Sequence, residues 1–149
     1  MIKNSVPELY LENQLCFPLY AASRLTTKVY APYLEELGVT YPQYLVLLTL
    51  WQFDKLTVKQ IGEKLYLESN TLTPLLKRLA LKNLIVRKRS EKDERTVIIS
   101  LSDEGKQLKN KAAEIPQKIV ASFDDDSLTE EEITSFQKTL FKLLVVLNK

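Results

Sequence analysis

The chain has one cysteine, Cys16, and no histidine, so few of its residues can do chemistry. A lone thiol cannot build an internal disulfide framework, which fits a reducing compartment. Without histidine, Ser-His-Asp and Cys-His pairs and histidine-based metal sites are excluded. The three glycines, Gly38, Gly62 and Gly105, lie far apart, which rules out a glycine-rich phosphate loop. No metal and no cofactor is expected. Cys16 itself has two readings. Beside Leu15, Phe17 and Leu19 it resembles a buried, inert small hydrophobe. Its place in the first turn or two of a helix favours a thiolate instead, the form that reacts with peroxides.

The charged residues form the second feature. The chain carries 21 basic and 19 acidic side chains, a formal charge of +2, too small to name a partner. Its distribution says more. Residues 1–56 hold four basic and five acidic groups, 57–101 hold ten and five, and 102–149 hold seven and nine. The excess of +5 in the middle third has two readings, a solvated basic face or the footprint of a polyanion partner.

That middle third must position whatever it binds. Leu72, Leu75, Leu76 and Leu79 recur at helical spacing and predict one core-facing stripe. The opposite face carries Asn70, Thr71, Thr73, Lys77 and Arg78. The β-branched runs that follow, Ile85 to Ser90 and Thr96 to Leu101, flank a polar segment from Ser90 to Arg95 and predict a hairpin with a basic tip. Two short helices followed by two strands are the layout of a winged helix-turn-helix DNA-binding module.

A helix is expected from about Asn13 to Glu36, with Leu15, Leu19, Ala22, Leu25 and Val29 on one stripe. Pro18 lies near its start, Pro32 predicts a kink or a break, and Gly38 a stop. Thr40 with Gln43 forms a capping box for a buried helix to about Phe53, Asp54 and Lys55 a turn, and Thr57 with Gln60 a second box. Ser69 is a candidate N-cap for the next helix. Pro74 lies too deep for that cap, so the cap is Asn70 or Thr71, or the first turn is irregular. A helix bent at Pro116 is expected from Ser102 to about Phe123, then a linker at residues 124–126. Ser127 to Glu130 is expected to cap a final helix with Ile133, Phe136, Leu140, Leu143, Leu144 and Leu147 on its stripe.

With 149 residues, 45% hydrophobic and 27% charged, the chain fits one globular domain. No apolar run nears the roughly 20 residues of a membrane span, and the opening MIKNSVPELY lacks a signal-peptide layout. A cytoplasmic protein with no membrane contact is expected. The helices flanking the module exceed what it needs as cover. Pairing with a second copy accounts for the surplus; folding back on the module is the alternative.

Three stretches carry a family resemblance: residues 11–24, residues 39–51, and Leu56 to Leu101 with its LTPLLKRL and KRSEKDERTVIISL segments. They resemble the MarR family. Gln14-Leu15-Cys16-Phe17, taken with Tyr41-Pro42-Gln43, is similar to the narrower group of OhrR-type repressors that sense organic hydroperoxides through one cysteine. The resemblance implies a mainly α fold with a small β-hairpin wing, a winged helix-turn-helix lobe over 40–101, and dimerisation helices over 11–37 and 102–149. It also implies a homodimer on a pseudo-palindromic double-stranded operator, and no enzyme.

The resemblance also assigns residues. Ser69, Asn70, Thr71 and Thr73 would face the major groove, with Asn70 standing where the family often has glycine. Lys77 and Arg78 would contact phosphates. At the wing, Arg95 would enter the minor groove with Asp93 supporting it, and Lys88, Arg89 and Lys92 would touch the backbone. The bland alternative for Asp93 and Arg95 is a salt bridge within the wing. Tyr30 and Tyr41 match the pair whose hydroxyls, from the partner subunit, hydrogen-bond the sensing sulfur; ordinary packing is the alternative for both. A hydroperoxide would oxidise Cys16 to the sulfenic acid, resolved by a low-molecular-weight thiol, a sulfenamide or overoxidation. Three rivals stand beside this reading: a broader oxidative-stress or global MarR-type regulator, a repressor binding a small aromatic effector with an inert cysteine, and a thiol peroxidase, for which the basic module would be superfluous.

Overall fold

The computed structural model describes residues 6–123 and 125–149. Residues 1–5, half of the opening read for a leader, and Asp124, the first of the linker aspartates, lie outside the described residues. Two short 3-10 turns, Pro7–Leu9 and Leu11–Asn13, precede helix α1 (Cys16–Leu37). Then follow α2 (Tyr41–Phe53), β1 (Lys55–Thr57), α3 (Val58–Leu65), α4 (Ser69–Leu81), β2 (Ile85–Arg89), β3 (Val97–Leu101), α5 (Asp103–Ala112), α6 (Ile115–Ser122) and α7 (Glu130–Leu147).

The three strands form one antiparallel sheet in the order β1-β3-β2. Leu56 lies opposite Ile99 and Ile85 opposite Leu101, and all four are buried. Leu47, Leu50, Ile61, Leu72, Leu76, Leu79 and Ile99 are fully buried between α2, α3, α4 and β3. Each such side chain contributes on the order of 1.5–3 kcal/mol, so the stability of the chain is concentrated in this lobe. The stripe expected on α4 is present, with Leu75 only half-buried.

Both capping boxes form. The Thr40 hydroxyl accepts from the Gln43 N–H (3.4 Å) and Gln43 Oε1 from the Thr40 N–H (3.0 Å); Thr57 and Gln60 repeat the pattern at 3.1 and 2.9 Å. Gly38 ends α1 at φ 72°, a left-handed backbone that glycine adopts without a Cβ penalty. Gly105 is required for space. A Cβ there would collide with the Leu84 carbonyl oxygen, and this close approach lets α5 start against the β2 entry.

Several expectations need correction. The stretch after Asp54 is not only a turn: Lys55–Thr57 forms a third strand, too short to show a period-2 pattern. Pro32 does not break α1, which continues for 22 residues. Pro116 divides rather than bends the next helix. A continuous helix would need its missing N–H and would press its ring on the Ala112 carbonyl, so α5 ends at Ala112 and α6 restarts with Pro116 in its first turn. The last helix is capped by Thr129 with Glu132, while Ser127 instead donates to Asp125 Oδ1 (2.8 Å from N, 2.7 Å from Oγ).

The end of α1, α5 and α6 pack on the lobe through Leu34, Leu37, Ala112, Ile115 and Ile119, and the Trp51 indole N–H donates to the Gly105 carbonyl (2.9 Å), whereas α7 and the start of α1 stay uncovered. α7 has no buried residue, and Phe136, Phe141, Val145 and Val146 are exposed. On α1 the burial is confined to Leu34 and Leu37. Leu15, Leu19 and Leu25, on the stripe expected to pack, are open to solvent.

Candidate nucleic-acid interface and redox site

Helix α4 is held by its leucine stripe, leaving Ser69, Asn70, Thr71, Lys77 and Arg78 exposed and Thr73 half-buried on the other side. Its start resolves the question raised by Pro74. The N-cap is Glu68, in extended conformation and without a side-chain cap. Its carbonyl accepts from both Thr71 N (3.1 Å) and Leu72 N (3.0 Å). Ser69 is therefore the first helical residue rather than the cap, and neither Asn70 nor Thr71 takes that role. The tightened first turn leaves the Ser69 and Asn70 N–H groups without intrahelical partners. Pro74, lying inside the helix, deprives the Asn70 carbonyl of its i+4 donor.

The wing tip is built by its own backbone and one carboxylate. Ser90 N donates to Thr96 O (2.8 Å) and Thr96 N to Asp93 O (3.0 Å). Asp93 accepts from the Arg95 N–H (3.0 Å) and the Thr96 hydroxyl (3.4 Å). Asp93 thus supports Arg95 through the main chain. The ion pair found among the described residues is Lys118 with Glu114, so no wing-internal bridge engages the exposed Arg95 guanidinium. Lys88, Lys92 and Arg95 are exposed. Arg89 has a structural task that its position in the sequence does not show: its guanidinium donates to the Glu94 carbonyl (2.8 Å) and braces the loop.

Cys16 is exposed and is the first residue of α1. The cap position, Leu15, makes no side-chain bond, leaving the positive end of the helix uncovered beside the sulfur. The approach is braced by Gln14, whose amide donates to Glu8 O (2.9 Å) and Tyr10 O (2.8 Å), and by Asn13 to Pro7 O (2.6 Å). The reading of Cys16 as a buried core residue is thereby excluded for the single chain.

Tyr30 and Tyr41 come together, ring centroids 4.9 Å apart, and Tyr44, which sequence reasoning missed, completes the cluster at 5.8 and 6.2 Å. The only sequence signal for Tyr44 is its i+3 spacing from Tyr41. Burial, then the neighbouring phenols Tyr41 and Tyr44, push Tyr30 up to about 12; burial also raises Tyr41 and Tyr44. All three hydroxyls are therefore protonated donors at neutral pH. The structure does not bring Cys16 to them within one chain. Tyr30 lies fourteen residues further along the same helix, roughly 21 Å at 1.5 Å per residue.

The family described as transcriptional regulator SarA/Rot matches residues 28–112. A relative from Bacillus subtilis (strain 168), an organic hydroperoxide resistance transcriptional regulator, is 49% identical over 99% of both chains. The chain belongs to the MarR/SarA family of transcriptional regulators. Within that family it is of the OhrR type, and it is not an enzyme. The regulator SarZ of Staphylococcus epidermidis is 42% identical over 91% of this chain and 89% of its own. Reduced AbfR bound to DNA superposes with a TM-score of 0.78 at 39% identity, over 98% of this chain and 100% of that one. Overoxidised AbfR bound to DNA gives 0.72 at 40%, over 93% and 96%. The mainly helical winged helix-turn-helix fold of the MarR/SarA family is shared, with a three-stranded wing rather than a simple hairpin. No helix among the described residues is long and apolar enough to cross a membrane.

Proposed function

We propose that this chain is a cytoplasmic, redox-sensing repressor that binds a pseudo-palindromic operator as a homodimer and leaves it when Cys16 is oxidised by an organic hydroperoxide. The observation that carries the reading is the position of Cys16: exposed at an uncapped helix start, on an apolar surface that the chain itself leaves uncovered. A second copy would cover that surface and bring its own Tyr30 and Tyr41 hydroxyls to the sulfur, which one chain cannot do across roughly 21 Å. The lobe is 40–101, and 11–37 with 102–149 supply the pairing helices. Ser69, Asn70, Thr71 and Thr73 meet base edges, Lys77, Arg78, Lys88, Arg89 and Lys92 the phosphates, and Arg95, set by Asp93, the minor groove.

The chemistry balances without a cofactor. The Cys16 thiolate attacks the peroxide, the O–O bond breaks, and sulfur takes one oxygen while the alkoxide leaves and is protonated to the alcohol. The sulfur is oxidised by two electrons and the peroxide reduced by two. A low-molecular-weight thiol then condenses with the sulfenic acid, forming an S–S bond and releasing water. Because overoxidised AbfR is found on DNA, added oxygen need not release a relative from its site; the bulkier mixed disulfide is the better wedge between Cys16 and the partner's tyrosines. The test is a gel shift on a duplex selected with the reduced protein, comparing native chain and Cys16→Ser with and without cumene hydroperoxide plus L-cysteine. Release of the native protein alone is expected, and equal release of both overturns the reading.

A further inference from the structure

Lys82 follows the last residue of α4 and caps its C-terminal end. Its ammonium donates to the Gly38 carbonyl (2.6 Å) and to Gln43 Oε1 (3.1 Å). These acceptors lie 44 and 39 residues away in the chain and flank Tyr41. Gly38 closes α1 in the left-handed conformation, and Gln43 is the capping-box residue of α2, whose first residue is Tyr41. One cation therefore ties three helix ends: the carbonyl ends of α1 and α4, where positive charge is favourable, and the start of α2.

The tie has few ways to relax. Gln43 is only 3% exposed, and its Oε1 already serves the Thr40 N–H (3.0 Å). Displacing the start of α2 would cost this buried oxygen its second donor, while Lys82, itself exposed, would return its ammonium to water. Beside the joint, Pro42, Leu75, Arg78 and Leu81 line an open cleft, so the polar tie spans a gap at this end of the α2–α4 contact, the rest of which is packed by buried leucines. The structure holds the tied arrangement; coupling between distant sites needs an element that can also leave it, and a single polar tie over a cleft is of that kind.

We propose that Lys82 is the positioning residue that transmits displacement of Tyr41 to the recognition helix α4. The proposal rests on the redox reading above and deepens it: oxidation at Cys16 moves the phenol, the phenol moves the first turn of α2, and Lys82 passes that movement to α4. It acts on the equilibrium between bound and released states, not on contact with DNA.

The experiment compares Kd for a duplex selected from a random-sequence pool on the reduced native protein, before and after cumene hydroperoxide with L-cysteine, for the native chain, Lys82→Met and Lys82→Arg. The oxidised-to-reduced Kd ratio should fall about tenfold in Lys82→Met while its reduced Kd stays within a few-fold of native, as expected for a lost coupling. Lys82→Arg, able to donate to the same acceptors, should recover part of the ratio. A native-like ratio in Lys82→Met overturns the proposal. So does lost DNA binding by reduced Lys82→Met with an unchanged melting curve, which would make Lys82 a direct DNA contact. Should that variant unfold, Lys82→Gln, shorter and uncharged, carries the same expectation. If the native protein shows no change on oxidation, the redox reading fails rather than the role of Lys82.

Discussion

Arg95 stands at the end of a wing whose tip is ordered by Asp93 gripping the arginine's own N–H rather than its guanidinium. The charge is thus aimed outward by the loop and held by no acid. Arg95→Ala should weaken duplex binding and lower the slope of log K against log salt by about one unit, the signature of one lost phosphate-neighbouring cation. Fluorescence anisotropy at several salt concentrations measures both; an unchanged slope removes Arg95 from the interface. Tyr30 makes a prediction of another kind. Its phenol is raised from 10.0 to about 12 by burial and by its tyrosine neighbours, so the folded chain holds this proton more tightly than the unfolded one. Its contribution to stability is fully present below pH 10 and is lost as pH rises towards 12. Thermal melts should show that decline, and Tyr30→Phe should flatten it. At this scale, residue type carried most of the legible signal: a lone cysteine and an arginine in a charged wing loop stand out alone. Gln43 and Lys82 do not, because their meeting depends on a fold that closes 39 residues of chain.

The elements were legible where a local rule governs them. Thr40 with Gln43 and Thr57 with Gln60 start their helices as the capping box requires, and Gly38 stops α1. They were illegible where a tertiary contact decides. Strand β1 exists because Leu56 pairs with Ile99, and three residues carry no periodicity of their own. The start of α4 was hidden because Glu68 caps through its main chain. The break before Pro116 was read as a bend because proline is compatible with either; the close approach of Gly105 to Leu84 shows how tightly α5 is held at its other end. Helix α7 is an element without a buried face in the single chain, and exposed apolar area of that kind marks an interaction surface. In the proposed dimer it closes the interface, so a chain truncated after Leu128 should sediment as a monomer and the full chain as a dimer. Equal masses for the two would remove α7 from the interface.

For the whole molecule, the proposed input and output occupy different surfaces. The stable core lies in the lobe carrying α4 and the wing, whereas Cys16 sits at the free start of α1, on apolar surface that the proposed dimer would cover. The tyrosine cluster lies at the junction of α1 and α2, between the two, and Lys82 ties that junction to α4. This arrangement suits a device in which oxidation changes the relation between lobes rather than melting either one. Its central claim is that one sulfur controls DNA release. The most direct measurement titrates cumene hydroperoxide, with L-cysteine present, into the duplex-bound protein while anisotropy and intact mass are followed together. The account predicts release in step with the mass of one cysteine adduct at Cys16, and no release from Cys16→Ser at the same peroxide dose. Release of the Cys16→Ser protein, or a fully adducted native protein still bound to its duplex, would contradict it.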